Sequence, residues 1–363
     1  MPPQPFVPPP YPYDRLDDLA RVAAAFPGGC VDLSIGTPCD APPPAVVAAL
    51  AASGAERGYP SSVGTPALRD AAAEWLGRRF GVEVPSGDVA ACVGTKEFVA
   101  GLPQWLHLRS PERDTVLYPA ISYPTYEMGA TLAGCRAVPY RDLATVSDED
   151  AERALCLWVN SPANPSGELT DLGAAARWGR ARRVPVFSDE CYIEFTWAEP
   201  GRTILEHGLD GVIALHSLSK RSNLAGVRAG FYVGDPDLVR YLAEVRKHAG
   251  FMPPGPVQAA AVVALGDDEH VDEQRARYRT RLSRLRDILT MVGVDAPLPA
   301  GGFYLWAPAP GGDAWALAKR LAAEGGALVS PGEFYGRGGE GHVRIAAVQP
   351  DERIELVATR LVG

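Results

Sequence analysis

Ser217-Leu218-Ser219-Lys220-Arg221-Ser222-Asn223-Leu224-Ala225-Gly226-Val227-Arg228-Ala229-Gly230 follows directly on an apolar run at 212–215. The run reads as a short buried strand. Hydroxyls, a lysine and, eight positions beyond it, an arginine come next. A lysine at the end of a buried strand has its charged form disfavoured, so it can act as a neutral amine nucleophile. Ser217, Ser219 and Arg228 are the kinds of donor that surround a phosphate. The chain holds only four lysines, Lys96, Lys220, Lys247 and Lys319, so Lys220 is not one of a basic crowd. Taken alone it reads equally well as a solvated loop residue, and the upstream segments decide between the two.

Those segments repeat one grammar of buried strand, polar cluster and helix. Residues 89–93 lead into Gly94-Thr95-Lys96-Glu97, which opens a helix whose backbone N–H groups suit an anion. Residues 115–118 lead to Ile121-Ser122-Tyr123-Pro124-Thr125-Tyr126. Residues 155–159 end at Asn160-Ser161-Pro162-Ala163-Asn164-Pro165-Ser166-Gly167, and 184–187 at Ser188-Asp189-Glu190-Cys191-Tyr192. Alternating strands and helices imply a mostly parallel sheet, with ligands beyond the carboxyl ends of its strands. Every polar cluster named so far lies at such an end.

The flanks read differently. Residues 2–12 hold seven prolines, which exclude helix and central strand and predict an extended arm on the surface or on a partner subunit. A helix over 13–25 precedes a strand over 31–38 that reaches Gly36, where backbone can approach a ligand closely. Thr65 with Pro66 reads as an N-cap and first helical residue, opening a helix to Phe80. After residue 233 come an apolar segment at 257–265, a long charged helix over 269–292, strands at 303–306 and 342–346, and helices at 313–324 and 351–361. That pattern predicts a smaller α+β domain.

At 363 residues the chain exceeds one ordinary core and implies two domains. A net charge of −9 argues against a nucleic-acid partner. The six cysteines form no C-x-x-C pair and the histidines no metal-ligand spacing, which speaks against zinc or a disulfide framework and fits a reducing cytoplasm. The proline-rich start lacks the plan of a signal peptide, and no apolar run approaches membrane-spanning length.

A reactive amine beside a phosphate grip is what pyridoxal 5'-phosphate requires, since the protein supplies the imine, the anchoring and the electronics. The cofactor also needs a carboxylate at its pyridine nitrogen, donors to its ring oxygen and an aromatic ring to stack on. Asp189, Asn164, Tyr192, Tyr123 and Arg344 each have an ordinary alternative as cap, turn former, core aromatic or surface ion pair. The chain nonetheless offers one candidate for each task, at separate strand ends.

N-S-P-A-N-P-S-G, S-D-E-C-Y and the lysine stretch together resemble the class I/II aminotransferases of PLP fold type I, from residue 31 to the C-terminus. The resemblance implies an α/β fold: a large domain with a mostly parallel seven-stranded sheet between helices, plus a smaller α+β domain. It divides the chain into 1–35 (arm and joining segment), 36–252 (cofactor-binding domain) and 253–363 (interdomain helix and small domain). It implies that Lys220 carries the cofactor as an imine and shuttles the substrate proton. Asp189 would hold the pyridine nitrogen, Asn164 and Tyr192 the ring oxygen, and Tyr123 the ring face. The phosphate would take Gly94, Thr95 and Lys96 through their backbone, with Ser217, Ser219, Arg228 and Tyr59 of the neighbouring subunit of a homodimer. Arg344, with Gly36 and Asn164, would bind the substrate at its α-carboxylate. Lys96, in the first turn of the helix opened by G-T-K-E, is the candidate contact for a distal carboxylate.

G-T-K-E at 94–97, S-D-E-C-Y at 188–192, H-S-L-S-K at 216–220 and V-R-K-H-A-G at 245–250 followed by P-V-Q-A-A at 256–260 are similar to actinobacterial N-succinyldiaminopimelate aminotransferases. That likeness implies ping-pong transfer between glutamate/2-oxoglutarate and N-succinyl-2-amino-6-ketopimelate in diaminopimelate and lysine biosynthesis. The alternative is the same scaffold acting on another amino acid in a specialised pathway, including β- or γ-elimination or replacement.

Overall fold

The computed structural model describes residues 6–362. Among these, the apolar runs become β1 (Val31–Asp32), β2 (Val89–Cys92), β3 (Thr115–Pro119), β4 (Arg136–Tyr140), β5 (Ala154–Asn160), β6 (Val186–Asp189), β7 (Val212–Ser217) and β8 (Gly230–Gly234). β2 to β8 form one seven-stranded sheet in the order β2-β8-β7-β6-β5-β3-β4. Its pairings are parallel except those of β8, which runs against both β2 and β7. Every residue of β5 and β7 is buried, as expected of strands covered by helices on both faces.

Helices start just past the strands' carboxyl ends: Thr95–Arg109 after β2, Thr125–Leu132 after β3 and Leu218–Arg221 after β7. This brings the polar clusters to one edge of the sheet. The helix Pro66–Phe80 begins as expected, with Leu68 N–H donating to Thr65 Oγ1 at 3.3 Å.

One sheet face, which carries Phe231, packs on Trp75 and Ile204, and the other, which carries Trp158, on Phe98 and Trp105. The sequence division at 252/253 falls before a helix, Gly255–Gly266, that belongs to the first of these cores. Its Ala260, Ala261 and Ala264 let it lie close against the helices Pro44–Ala51 and Pro66–Phe80.

A separate core holds Leu282, Leu285, Leu317, Leu321 and Ile345. It lies beneath β9 (Tyr304–Pro308), β11 (Ser330–Pro331) and β12 (His342–Ala346), while β10 (Ala327–Leu328) pairs with β1. Leu16, Leu19 and Ala23 join this core from the N-terminal side. The expected strand over 31–38 is paired only at Val31 and Asp32. Past it, the Asp32 carboxylate accepts from Ser34 N–H (2.8 Å) and Ser34 O–H (2.6 Å), a local bond that competes with a ladder. The helix expected over 13–25 opens instead as a 3-10 turn, Pro12–Leu16, before Asp17–Ala24.

The long helix Glu269–Met291 ties the two cores together. Its Tyr278 packs on Phe195 and Phe303, and its Arg281 pairs with Asp40 and Asp351. Residues 2–5 of the proline-rich stretch lie outside the described residues. Among the described residues, no helix is long and apolar enough to cross a membrane.

Candidate active site

A cavity of about 340 Å³ opens at the carboxyl ends of β6 and β7. Gly36, Thr95, Lys96, Tyr123, Asn164, Asp189, Tyr192, Ser217, Ser219, Lys220, Arg228 and Arg344 all line it. Gly94 stands just behind: a Cβ there would lie 2.2 Å from Arg228 Nη2, so only glycine lets the guanidinium pass. Gly36 is equally constrained, because a Cβ would sit 1.9 Å from the Tyr304 hydroxyl. The chain does not bring Tyr59 to its own cavity, and that ring is 100% exposed.

Lys220 rides on the one-turn helix Leu218–Arg221, capped by Ser217, whose Oγ accepts from Ser219 N–H at 3.1 Å. So short a helix has little stability of its own. Its anchor is the next residue. Arg221 is buried and donates to Glu194 Oε1 (3.2 Å) and to the Ala264 carbonyl (2.6 Å). With its neighbour fixed below, Lys220 points into the cavity, and its Nζ donates to the Gly36 carbonyl. Burial lowers its pKa to about 8, and the positive charges of Arg344 and Arg228 act in the same direction.

Asp189 closes β6. Its Oδ2 accepts from the Tyr126 hydroxyl at 2.9 Å and its Oδ1 from Cys191 N–H at 3.2 Å. Burial raises its pKa, while these two donors favour the carboxylate. Tyr126, fully buried and stacked on Trp158, was not singled out by the sequence reading, although it belongs to the segment that supplies Tyr123. Asn160, also unassigned, donates to the Asp189 carbonyl (2.8 Å) and accepts from Asn164 N–H (2.7 Å). It fixes the Asn164 loop to the strand bearing Asp189.

Arg344, on β12, is 2% exposed. It donates to Asn164 Oδ1 (2.8 Å), the Ser34 carbonyl (2.6 Å) and the Tyr13 hydroxyl (3.1 Å). Its guanidinium lies 4.1 Å from the Tyr304 ring centroid and 4.8 Å from that of Tyr335. The Tyr304 and Tyr192 hydroxyls are 2.9 Å apart. Tyr11, Tyr13 and Tyr304 escaped the sequence reading because each reaches the cavity from a segment remote from the strand-end clusters. Four arginines are buried among the described residues, and Arg221, Arg246 and Arg281 each pair with a carboxylate. Arg344 has none within salt-bridge range among these residues.

The donor set suits pyridoxal 5'-phosphate. Among the described residues, Asp189 is the single carboxylate lining the cavity, which it shares with a lysine of lowered pKa. A glycine without room for a Cβ, the start of the 15-residue helix Thr95–Arg109, two serines and Arg228 form an anion cup. The sheet topology and this constellation define a pyridoxal-phosphate enzyme of fold type I.

The profile of the class I and II aminotransferases matches residues 29–361, and the chain belongs to that family. It is a pyridoxal-phosphate-dependent aminotransferase, acting on amino acids and keto acids. The 4-dedimethylamino-4-oxo-anhydrotetracycline transaminase of Streptomyces rimosus is 45% identical over 361 residues, covering 97% of this chain and 99% of that one. A probable aminotransferase of Mycobacterium tuberculosis is 43% identical, covering 97% and 85%. Among solved structures, the probable N-succinyldiaminopimelate aminotransferase of Thermus thermophilus superposes with a TM-score of 0.85 at 30% identity, covering 96% of this chain and 98% of that one.

Proposed function

We propose that this aminotransferase moves the amino group of glutamate to N-succinyl-2-amino-6-ketopimelate, giving N-succinyl-LL-2,6-diaminopimelate. The observation that carries the reading is Arg344. A buried guanidinium without an internal carboxylate offers a bidentate seat for the α-carboxylate that both substrates share. Lys96 is a further cation lining the cavity, and its neighbour Glu97 is already engaged by Arg246. That leaves its ammonium to face the distal carboxylate of glutamate or of the succinyl group. The likeness to the Thermus thermophilus protein supports the same acceptor.

Pyridoxal phosphate, when bound, supplies the carbonyl that joins an amine and the ring that takes up electrons from the substrate Cα. Asp189 holds the ring nitrogen, and its own position is fixed by Tyr126 and Cys191. Asn164 has given its carboxamide oxygen to Arg344, so its NH₂ remains to donate to the ring oxygen beside Tyr192. Tyr123 covers the ring face. Gly94, Thr95, Lys96, Ser217, Ser219 and Arg228 receive the phosphate. Lys220 moves the proton at its Nζ to and from the substrate Cα, a task suited to an amine whose pKa lies near 8. Tyr59, fully exposed, reaches the phosphate site of a second copy in a two-fold dimer.

The test is kcat/KM for a panel of keto acids with glutamate as donor. The succinylated acceptor is expected to lead the panel, and activity confined to other acceptors would remove it. A second reading is favoured by the 45% identity to the tetracycline-pathway transaminase: the same half-reaction with glutamate, followed by transfer to a bulkier ketone of a specialised pathway. A ring ketone in the same panel separates the two. Sedimentation of active enzyme at nanomolar concentration tests the dimer.

A further inference from the structure

The proline-rich arm enters none of the chemistry above, yet it and the adjoining Tyr13 touch two of the cavity's four cations, Lys96 and Arg344. Tyr13 accepts from Arg344 Nη2 at 3.1 Å, and its hydroxyl lies 2.9 Å from that of Tyr335. Its ring is held edge-on by Phe334 at 5.8 Å. Just beyond, Arg15 pairs with Glu333 at 2.6 Å and Leu16 is buried, so the arm is fastened at its inner end. Tyr11 leans on Tyr13 with ring centroids 5.5 Å apart. Lys96 Nζ lies 3.4 Å from the Tyr11 hydroxyl and 5.0 Å from the ring centroid.

What holds Tyr11 there is its backbone. The residue before a proline is confined to extended conformations, and Tyr11, followed by Pro12, sits at φ −64°, ψ 128°. Pro8, Pro9 and Pro10 precede it and fix their own φ angles. The chain therefore reaches the cavity with little conformational freedom left to lose. Lysine is a point charge on a long flexible stem, and Lys96 is exposed. Held by a phenol and a ring face, it is restrained before a substrate arrives, which strengthens binding without a new contact.

We propose that the arm is a fixed wall of the substrate cavity, in which Tyr13 orients Arg344 for the carboxylate every substrate carries and Tyr11 determines specificity by restraining Lys96, so that dicarboxylates are preferred over monocarboxylates. This rests on the assignment of Arg344 and Lys96 as the two carboxylate seats.

The experiment titrates the holoenzyme calorimetrically with glutarate, a non-reacting dicarboxylate, and with butyrate, its monocarboxylate counterpart. Tyr11→Ala should weaken glutarate roughly three- to fivefold and leave butyrate within about twofold. Pro12→Gly, which keeps both phenols, should weaken glutarate about two- to fivefold by loosening Tyr11. Tyr13→Phe should weaken both probes alike. In the double variant with Lys96→Ala, the Tyr11→Ala loss should vanish, because its target is gone. Glutarate affinity that falls with Lys96→Ala but is untouched by Tyr11→Ala and Pro12→Gly overturns the proposal and spares the carboxylate seats. Glutarate affinity indifferent to Lys96→Ala removes the distal seat and the proposal with it.

Discussion

Arg246 and Arg344 occupy the same kind of surroundings and have opposite fates. Arg246 is 1% exposed among Phe98, Trp105 and Phe251, and Arg344 is 2% exposed between Tyr304 and Tyr335. Each leaves its Nε without a partner. Arg246 is met by both oxygens of Glu97, at 2.9 and 2.5 Å. Among the described residues, Arg344 is met only by neutral oxygens, from Asn164, Ser34 and Tyr13. Burying a charge without its counter-ion costs several kcal/mol, which aromatic faces and neutral acceptors offset in part. A fold keeps such a charge where its anion comes from outside. The difference between the two arginines separates scaffold from site more sharply than burial does.

The largest effect that can break this comparison is Arg344→Met. Turnover with every amino donor should fall by roughly 10²–10⁴, since truncating one side of a desolvated charge pair costs about 2–5 kcal/mol or more. The thermal midpoint should stay level or rise, because an uncompensated buried charge leaves the core. Arg246→Met should behave conversely. Stability drops by about 3–5 kcal/mol, the range for breaking a buried pair, and adding Glu97→Gln recovers part of it. The folded fraction should retain kcat/KM within about tenfold. An Arg344→Met protein that unfolds beside an Arg246→Met protein that merely slows would reverse the assignment.

Lys220 is a mostly buried cation that, like Arg344, has no carboxylate within salt-bridge range among the described residues, and its departure from ordinary behaviour can be read in pH. Its pKa is lowered from 10.5 to about 8 by burial first and then by Arg344 and Arg228. Only the neutral amine attacks a carbonyl. As pH rises toward 8 the neutral fraction grows about tenfold per unit, and above 8 it saturates. Attachment of pyridoxal phosphate to cofactor-free protein, followed by stopped-flow absorbance, should rise and level off accordingly. A rise that continues to about pH 10 would mean that the amine is as wet as in a free chain.

The strand-end clusters were legible because each carries its own context. An apolar run, a break and a helix start fit within a dozen residues, so Lys220, Asp189 and Asn164 could be placed without knowing what lies opposite. The seven-stranded sheet follows from the same alternation. What could not be read is what closes over distance. Tyr126 meets Asp189 across 63 positions, Tyr192 meets Tyr304 across 112, and Arg344 meets Tyr13 across 331. A phenol that orients a carboxylate has the same local signature as one that fills a core. The short pairing of β1 escaped for another reason: Asp32 turns its carboxylate onto Ser34, a local bond that overrides the apolar alternation. That the helix Gly255–Gly266 packs on the core of the large sheet is read only from the structure, because an alanine-rich face shows that a helix packs tightly but not which core it joins.

Lys96 extends the comparison to a weaker case. Like Arg344 it is a cavity cation without a carboxylate of its own, since Glu97 is bound by Arg246 and by the Val93 amide. Unlike Arg344 it is exposed, so water and salt screen whatever it attracts. Lys96→Ala should therefore raise the KM for glutamate only about fivefold, the scale of an exposed ion pair of about 1 kcal/mol. The KM for alanine should not move, because alanine has nothing at the distal seat. Raising the ionic strength from about 0.05 to 0.5 M should erase most of the glutamate effect, while the Arg344→Met defect persists, because a desolvated seat is hidden from salt. Equal losses for glutamate and alanine would place Lys96 in the phosphate cup instead. In that case pyridoxal phosphate affinity, measured by equilibrium dialysis of the variant, should fall in step.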